Sequence, residues 1–368
     1  MDPVVHEGLE GVVVSRTALS DVDGEAGRLL VAGHLVEDLA GKVSFEAVRD
    51  LLSRGRLPDA EEERIARQEL GEARVRAFEA LAGREALLAA ADGMDALRAS
   101  IASLDSKAFG SDLALVGAVA VFTSAYARIA GGSAPIAADA TRSHAEDVLH
   151  MTLGEASAHR ARALDAYLVT VMDHGLNAST FAARVVASTG SDDVSAIAAA
   201  IGALKGPLHG GAPGPVLDML DAIGTPEHAE AWLERELAEG RRIMGMGHRV
   251  YRVRDPRALV LERALAELER GGPSTPRLAL ARGVERAAAS LLAKKHRARA
   301  LAANVEFYTA VLLDAVGIPR WHFSPMFAVG RVAGWCAHIA EQRARGRLIR
   351  PASLYDGPAC SKAITPSG

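Results

Sequence analysis

The sequence predicts an all-α protein with one small β-hairpin near its N terminus, and three observations carry that prediction. Ala, Leu, Arg and Glu dominate, while aromatic residues make up only 4% of the 368 residues, a composition weighted towards strong helix formers. Apolar positions recur every three or four residues in Leu261–Leu268, Val284–Leu292 and Val332–Ala344, with polar ones between them. A different pattern stands out only near the start, where Val12–Ser15 and Arg28–Val31 flank Asp23-Gly24, a favourable turn pair. The two runs lie far apart, so the expectation there is a small, marginal sheet.

The rest of the composition narrows the function classes. Apolar residues at 49% and charged residues at 24% describe a globular chain, long enough for one large core or two. A net charge of −4 gives no general reason to expect nucleic acid, so any bound anion must be held by local arginines. The two cysteines, Cys336 and Cys360, show no metal or disulfide spacing and fit a reducing, cytoplasmic setting. Met1–Glu10 is polar and acidic, unlike a signal peptide. The longest apolar run, Leu113–Ala127, contains Thr123 and Ser124 and falls short of the ~18 apolar residues of a membrane span. It reads as a buried core or interface helix. Glycine loops punctuate the helices, and no Gly/Ser tether separates domains.

Five segments carry chemistry-bearing residues. In Gly206–Ala212, two glycines follow His209 ahead of a helix start at Pro213, and a helix dipole would favour a neutral imidazole there. A glycine-rich turn with an incidental histidine explains it as well. Gly245-Met246-Gly247-His248 leads into Arg249, Arg252 and Arg257, with Asp255-Pro256 reading as a helix cap and first residue. Val250 and the lack of a preceding strand exclude a dinucleotide fingerprint. An anion loop and a solvated basic turn both remain open. Glu306 sits between Val305 and Phe307, where burial would raise its pKa, although an amphipathic helix with Glu306 paired to an arginine is the better reading of this segment alone. On one helical face lie Arg331, Trp335, His338 and Glu341 or Gln342, a ligand site or a satisfied core network. Asp173–Phe181 places His174 and short polar residues before an apolar helix, as an ordinary cap also would.

Together, the order and spacing of these segments resemble the citrate synthase family. PLHGGA spans Pro207–Ala212, GMGHRVYRVRDPR spans Gly245–Arg257, and NVEFYTA spans Asn304–Ala310. DHGLNASTFAARVVAST covers Asp173–Thr189, and FAxxRxxGWxxHxxEQ covers Phe327–Gln342. The likeness runs from about Gly11 to Pro358. It implies an almost wholly helical dimer with a large domain (1–211 and 317–368) and a small one (212–316) that closes over the substrates. It also implies the short form, without the extra N-terminal domain of allosterically inhibited bacterial enzymes.

The reaction so implied is condensation of acetyl-CoA with oxaloacetate, followed by thioester hydrolysis to citrate and coenzyme A. The coenzyme A thioester is a co-substrate, with no permanent cofactor and no metal, and neither nucleic acid nor membrane is a partner. His209 matches the histidine that stabilises the enol, and His248 the one that polarises the ketone. His174, Arg257 and Arg331 match oxaloacetate ligands, and Arg350 the arginine lent across the dimer. Gly245, Gly247, Arg252, Arg297, Arg299 and Asn304 fall where the family contacts coenzyme A. Glu306 stands where most members carry the aspartate base, with a backbone shift taking up the extra methylene, and Ala303 replaces a common proline. Two other readings stay open: 2-methylcitrate synthase acting on propionyl-CoA, and a non-catalytic metabolite sensor.

Overall fold

Short polar side chains fix where most helices of this chain begin. The computed structural model describes residues 4–210, 213–247, 250–271, 277–295 and 302–357. After a single turn, α1 (Val36–Leu39), Ser44 caps α2 (Phe45–Arg54) and Asp59 caps α3 (Ala60–Glu79). The short α4 (Glu85–Leu88) precedes α5 (Gly93–Ala102), capped by Asp92, and α6 (Asp112–Ala130), capped by Ser111. Ser143, Ser157, Asn177 and Asp192 cap α7 (His144–Leu153), α8 (Ala158–Val171), α9 (Ala178–Ser188) and α10 (Asp193–Leu204). Next come α11 (Pro213–Ile223), α12 (Ala229–Ala238), α13 (Pro256–Arg270), capped by Asp255, and α14 (Arg277–Lys295). Asn304 caps α15 (Val305–Val316), and α16 (Phe323–Arg345) follows. Each cap oxygen accepts a backbone N–H that the first turn leaves unpaired, worth about 1 kcal/mol.

The N-terminal sheet is real but displaced from its expected position. Its strands are β1 (Ser20–Asp23), β2 (Arg28–Val31) and β3 (His34–Leu35), all antiparallel, with Ser20 opposite Val31 and Asp23 opposite Arg28. Val12–Ser15 is not a strand, and Val13 is 88% exposed. The turn decides this. Asp23 Oδ1 accepts the Ala26 N–H at 2.9 Å, so the chain reverses directly after Asp23 and β2 pairs with the residues just before it.

Two long helices organise the core. Residues Ala114–Ala127 of α6 are buried, and the helix packs against α3, α5, α7 and α16. A Cβ on Gly117 would lie 2.9 Å from the Ala73 carbonyl carbon, so this glycine brings α3 and α6 into backbone contact. Among the described residues α6 alone is long and apolar enough to cross a membrane, yet 78% of that stretch is buried inside the protein. It is a core helix, with Ser124 Oγ accepting from Thr152 at 3.0 Å. The other organiser, α16, crosses α6, α8, α9 and α10. A Cβ on Gly334 would collide with the Met172 carbonyl oxygen, so this approach to the end of α8 requires glycine. It sets Arg331 and Trp335 beside the segment between α8 and α9. Farther along the chain, α12 packs on α14, α11 on α15, and α13 lies against both α15 and α8.

Candidate active site

His209 follows α10 in a tight turn, its N–H bonded to the Gly206 carbonyl at 2.9 Å. The imidazole meets the first turn of α9. Nε2 lies 3.3 Å from the Ser179 backbone nitrogen and 2.8 Å from Ser179 Oγ. A backbone N–H in a helix cannot turn away, so it donates to Nε2, which must present a lone pair. The ring is therefore assigned as the neutral tautomer with its proton on Nδ1. Ser179 Oγ also accepts from Trp335 Nε1 at 3.2 Å and lies 2.8 Å from Asn177 Oδ1, the α9 cap. Burial pushes the imidazole pKa down to about 4, and the Arg331 guanidinium pushes the same way. The positive end of α9 adds to both. Sequence order pointed to the helix that follows His209, whereas the structure adds α9, remote in the chain, as one whose start touches the ring.

Two buried arginines stand in contrasting surroundings. Arg257, 3% exposed, lies in the first turn of α13 and is forked by Asp255, with Nε to Oδ1 at 3.0 Å and Nη2 to Oδ2 at 2.8 Å. Burial disfavours its cation, but the Asp255 carboxylate outweighs that and raises its pKa. Asp255 Oδ2 also accepts the Val305 N–H at 3.1 Å, tying the start of α13 to the start of α15. Arg331, 1% exposed, donates Nε–H to the Val171 carbonyl and lies over the Phe327 ring, 4.7 Å from its centroid. It forms no ion pair with a carboxylate among the described residues, and burial pushes its pKa down to about 10 despite support from Asp173. Asp173 is itself engaged by His338 at 3.2 Å, whose other ring nitrogen meets Arg184 at 2.9 Å. Arg184 continues to Gln342 and Glu341. The polar stripe of α16 thus divides into a satisfied core network, from His338 onward, and an arginine left without a counter-anion.

His174 Nε2 lies 3.2 Å from Tyr251 Oη, and the Tyr251 ring faces the Arg257 guanidinium at 5.9 Å. The Arg257 charge acts on both Arg331 and Glu306, as the Arg331 charge acts on His209. His209, Arg331, Arg257 and Glu306 therefore form one electrostatic cluster. Burial pushes the Glu306 carboxyl up to about 7, with Arg257 opposing and Asp255 reinforcing the shift.

The loop before α13 is paired to the start of α15. Gly247 N–H bonds the Ala302 carbonyl at 2.8 Å, Asn304 N–H bonds the Gly245 carbonyl at 2.9 Å, and Met246 bridges Ala303. Asn304 works at both ends: Nδ2 donates to the Gly247 carbonyl at 2.8 Å, while Oδ1 accepts from Glu306 N–H and Phe307 N–H at 3.0 and 3.3 Å. Gly245 has φ +71°, and a Cβ there would sit 2.8 Å from Phe307 Cβ, so only glycine fits. Arg252 is exposed, 3.7 Å from Glu25, and its N–H bonds the Gly24 carbonyl, which docks the hairpin turn onto this loop. Arg350 is exposed beyond α16. His248, Arg297 and Arg299 lie outside the described residues. Among those described, no group of three or more His, Cys, Asp and Glu is placed to hold a metal ion.

The family model described as "Citrate synthase, C-terminal domain" matches residues 8–352. This chain belongs to the citrate synthase family. "Putative citrate synthase 2" of Mycobacterium tuberculosis (strain ATCC 25618 / H37Rv) is 39% identical over 361 residues, covering 95% of this chain and 92% of that protein. The 2-methylcitrate synthase of the same strain is 36% identical over 367 residues, covering 96% and 91%. Among solved structures, citrate synthase from Thermotoga maritima MSB8 superposes with a TM-score of 0.85 at 35% identity, covering 98% of each chain. The ternary complex of Thermoplasma acidophilum citrate synthase with carboxymethyl coenzyme A and oxaloacetate gives 0.83 at 28% identity, also covering 98% of each. The all-α prediction agrees with these relatives.

In this citrate synthase-family chain three contributors escaped the sequence reading. Ser179 appeared only as part of a motif, though its place two residues after the Asn177 cap marks an N–H with no helical acceptor. Tyr251 looked like an ordinary residue of a basic loop. Asp255 was legible as a cap, but not as the carboxylate that neutralises Arg257 and holds α15.

Proposed function

We propose that this chain condenses acetyl-CoA with oxaloacetate and hydrolyses the product thioester, releasing citrate and coenzyme A. One arrangement carries the reading: His209 Nε2 accepts the Ser179 N–H and its half-buried imidazole is pushed down to about 4, while the half-buried Glu306 carboxyl of the same cluster is pushed up to about 7. That separation suits a hydrogen-bond donor that stays neutral and a base partly ionised near neutrality.

In this reading the Glu306 carboxylate takes a proton from the acyl methyl. The His209 Nδ1–H donates to the thioester oxygen as that oxygen gains charge. The enol carbon then forms its bond to the ketone carbon of oxaloacetate, and His248 supplies the proton to the resulting alkoxide. Water cleaves the thioester, and coenzyme A leaves as the thiol. Arg331, which has no carboxylate partner among the described residues, grips one carboxylate of oxaloacetate, with Arg257, His174 and the Arg350 of a second subunit completing the grip. Gly245, Gly247, Arg252, Arg297, Arg299 and Asn304 hold coenzyme A. Residues 212–316 form the small domain that closes on the large one, 1–211 and 317–368, and shuts out water.

Greater identity to the mycobacterial putative citrate synthase 2 than to the 2-methylcitrate synthase favours the acetyl substrate. The second relative keeps propionyl-CoA as the alternative, since one methylene is worth only ~1–3 kcal/mol to a pocket. The deciding experiment follows free thiol released from each thioester, with and without oxaloacetate. A higher kcat/KM for acetyl-CoA, dependent on oxaloacetate, supports the proposal, and the reverse preference makes the chain a 2-methylcitrate synthase. No release from either, by folded protein that still binds oxaloacetate, removes Glu306 as a working base.

A further inference from the structure

Away from this cluster, α8 and α13 run side by side, and between them and α1 opens a cavity of about 440 Å³. Side-chain size explains why it is there. Ala163 and Ala166 of α8, Ala264 of α13, and Ala40 beside α1 make a floor with Val260, where larger residues would close the gap. Around the floor stand Lys42, His159, Arg162, Arg263 and Arg270, against the carboxylates of Glu37 and Glu267. With histidine neutral, the lining carries an excess of two positive charges.

Three details mark this as a prepared site. The Arg162 guanidinium is held 2.7 Å from His159 Nδ1, so an imidazole orients it and no carboxylate cancels it. The backbone of Gly271, at the end of α13, packs so close to the same ring that a Cβ would collide with it. Glu37, half-buried, lines the same groove and brings a carboxylate to it. Lys42 and Arg270 lean on Asp38 at 3.0 Å and Glu267 at 3.9 Å, but Arg162 and Arg263 pair with no carboxylate among the described residues.

We propose that this groove binds a small phosphate monoester bearing hydroxyl groups, its phosphate on Arg162 and Arg263 and a hydroxyl donating to Glu37. The two arginines without a carboxylate partner match a phosphate dianion, guanidinium forks donate to phosphate oxygens in pairs, and the alanine floor takes a carbon skeleton. Cavities of this volume are in the usual range for small-molecule sites. The site shares no residue with the acyl-transfer cluster, so it stands whether or not that reading does.

Glycerol 3-phosphate, which carries phosphate, carbon chain and hydroxyls, is the probe. Titration calorimetry of the full chain is expected to show saturable binding that persists in saturating coenzyme A. The Arg162→Gln/Arg263→Gln double variant should bind about tenfold more weakly or worse. Both side chains are exposed, and an unchanged melting temperature verifies the fold. Should the double variant fail to fold, Arg263→Lys keeps the charge, loses the fork and must still weaken binding. No heat from the parent, undiminished binding in the variants, or displacement by coenzyme A each overturns the proposal.

Discussion

A carboxyl that titrates at about 7 in the folded chain, and at its ordinary 4.5 when unfolded, holds its proton more tightly in the folded state. Glu306 therefore supports folding fully below about pH 4.5, and that support is lost as pH rises through 7. The Glu306→Gln variant should melt near the parent's temperature at pH 4.5 and above it at pH 8. A difference that stays constant across that range would contradict the raised pKa. The parent's kcat/KM should fall about tenfold per pH unit below 7 as the base is protonated. Arg331 is the opposite case, a cation whose pKa burial has pushed down to about 10. Replacing it with methionine relieves that desolvation, so Arg331→Met is expected to melt no lower than the parent while binding oxaloacetate about 100-fold more weakly. Lower stability together with intact binding would show that Arg331 is structural.

At the scale of elements, Asn304 joins two functions that substitution can separate. Asn304→Ala removes the α15 cap and the tether to Gly247, and should cost about 1–2 kcal/mol in denaturant unfolding. Asn304→Asp keeps a cap oxygen but cannot donate to the Gly247 carbonyl. It should retain most of the stability and raise KM for the acyl-CoA, whereas a simple capping role would leave KM untouched. Helix starts of this kind were readable in the sequence because Asn and Asp compete locally for backbone N–H groups, as at Asp255-Pro256. The hairpin was half readable: β2 stood where its apolar run placed it, but its partner was chosen by the Asp23 turn and not by the valines at 12–14. The contacts that build the site were not readable. Ser179 meets His209 across 30 residues, and Asp173 meets His338 across 165. Periodicity marks α16 as a helix with a polar stripe, but only the close approach at Gly334 decides which polar residues of that stripe are satisfied.

For the whole molecule, the resemblance carried more than composition could, since helical periodicity alone fits many bundles. Its implication of a shared site has a direct test. If Arg350 serves the neighbouring subunit of a dimer, inactive His209→Ala and inactive Arg350→Ala chains, refolded together, should recover about one quarter of the parent activity. Half of the randomly assorted dimers are mixed, and each mixed dimer holds one intact site. No recovery, with mixed dimers demonstrated, would confine Arg350 to its own subunit.

The packing of α6 against α16 also sets an order of events during synthesis. The α6 helix leaves the ribosome early, carrying an apolar surface that one of its covers, α16, cannot reach until some two hundred further residues have been translated. Until then this half of the chain holds a sticky, membrane-like stretch without its final neighbour, the condition in which nascent chains aggregate or engage holding chaperones. A stop codon inside α16 would thus leave the core open, even though it spares His209, Arg257 and Glu306. The last helix is the closing piece of the fold, and the cell must shelter the unfinished chain until it arrives.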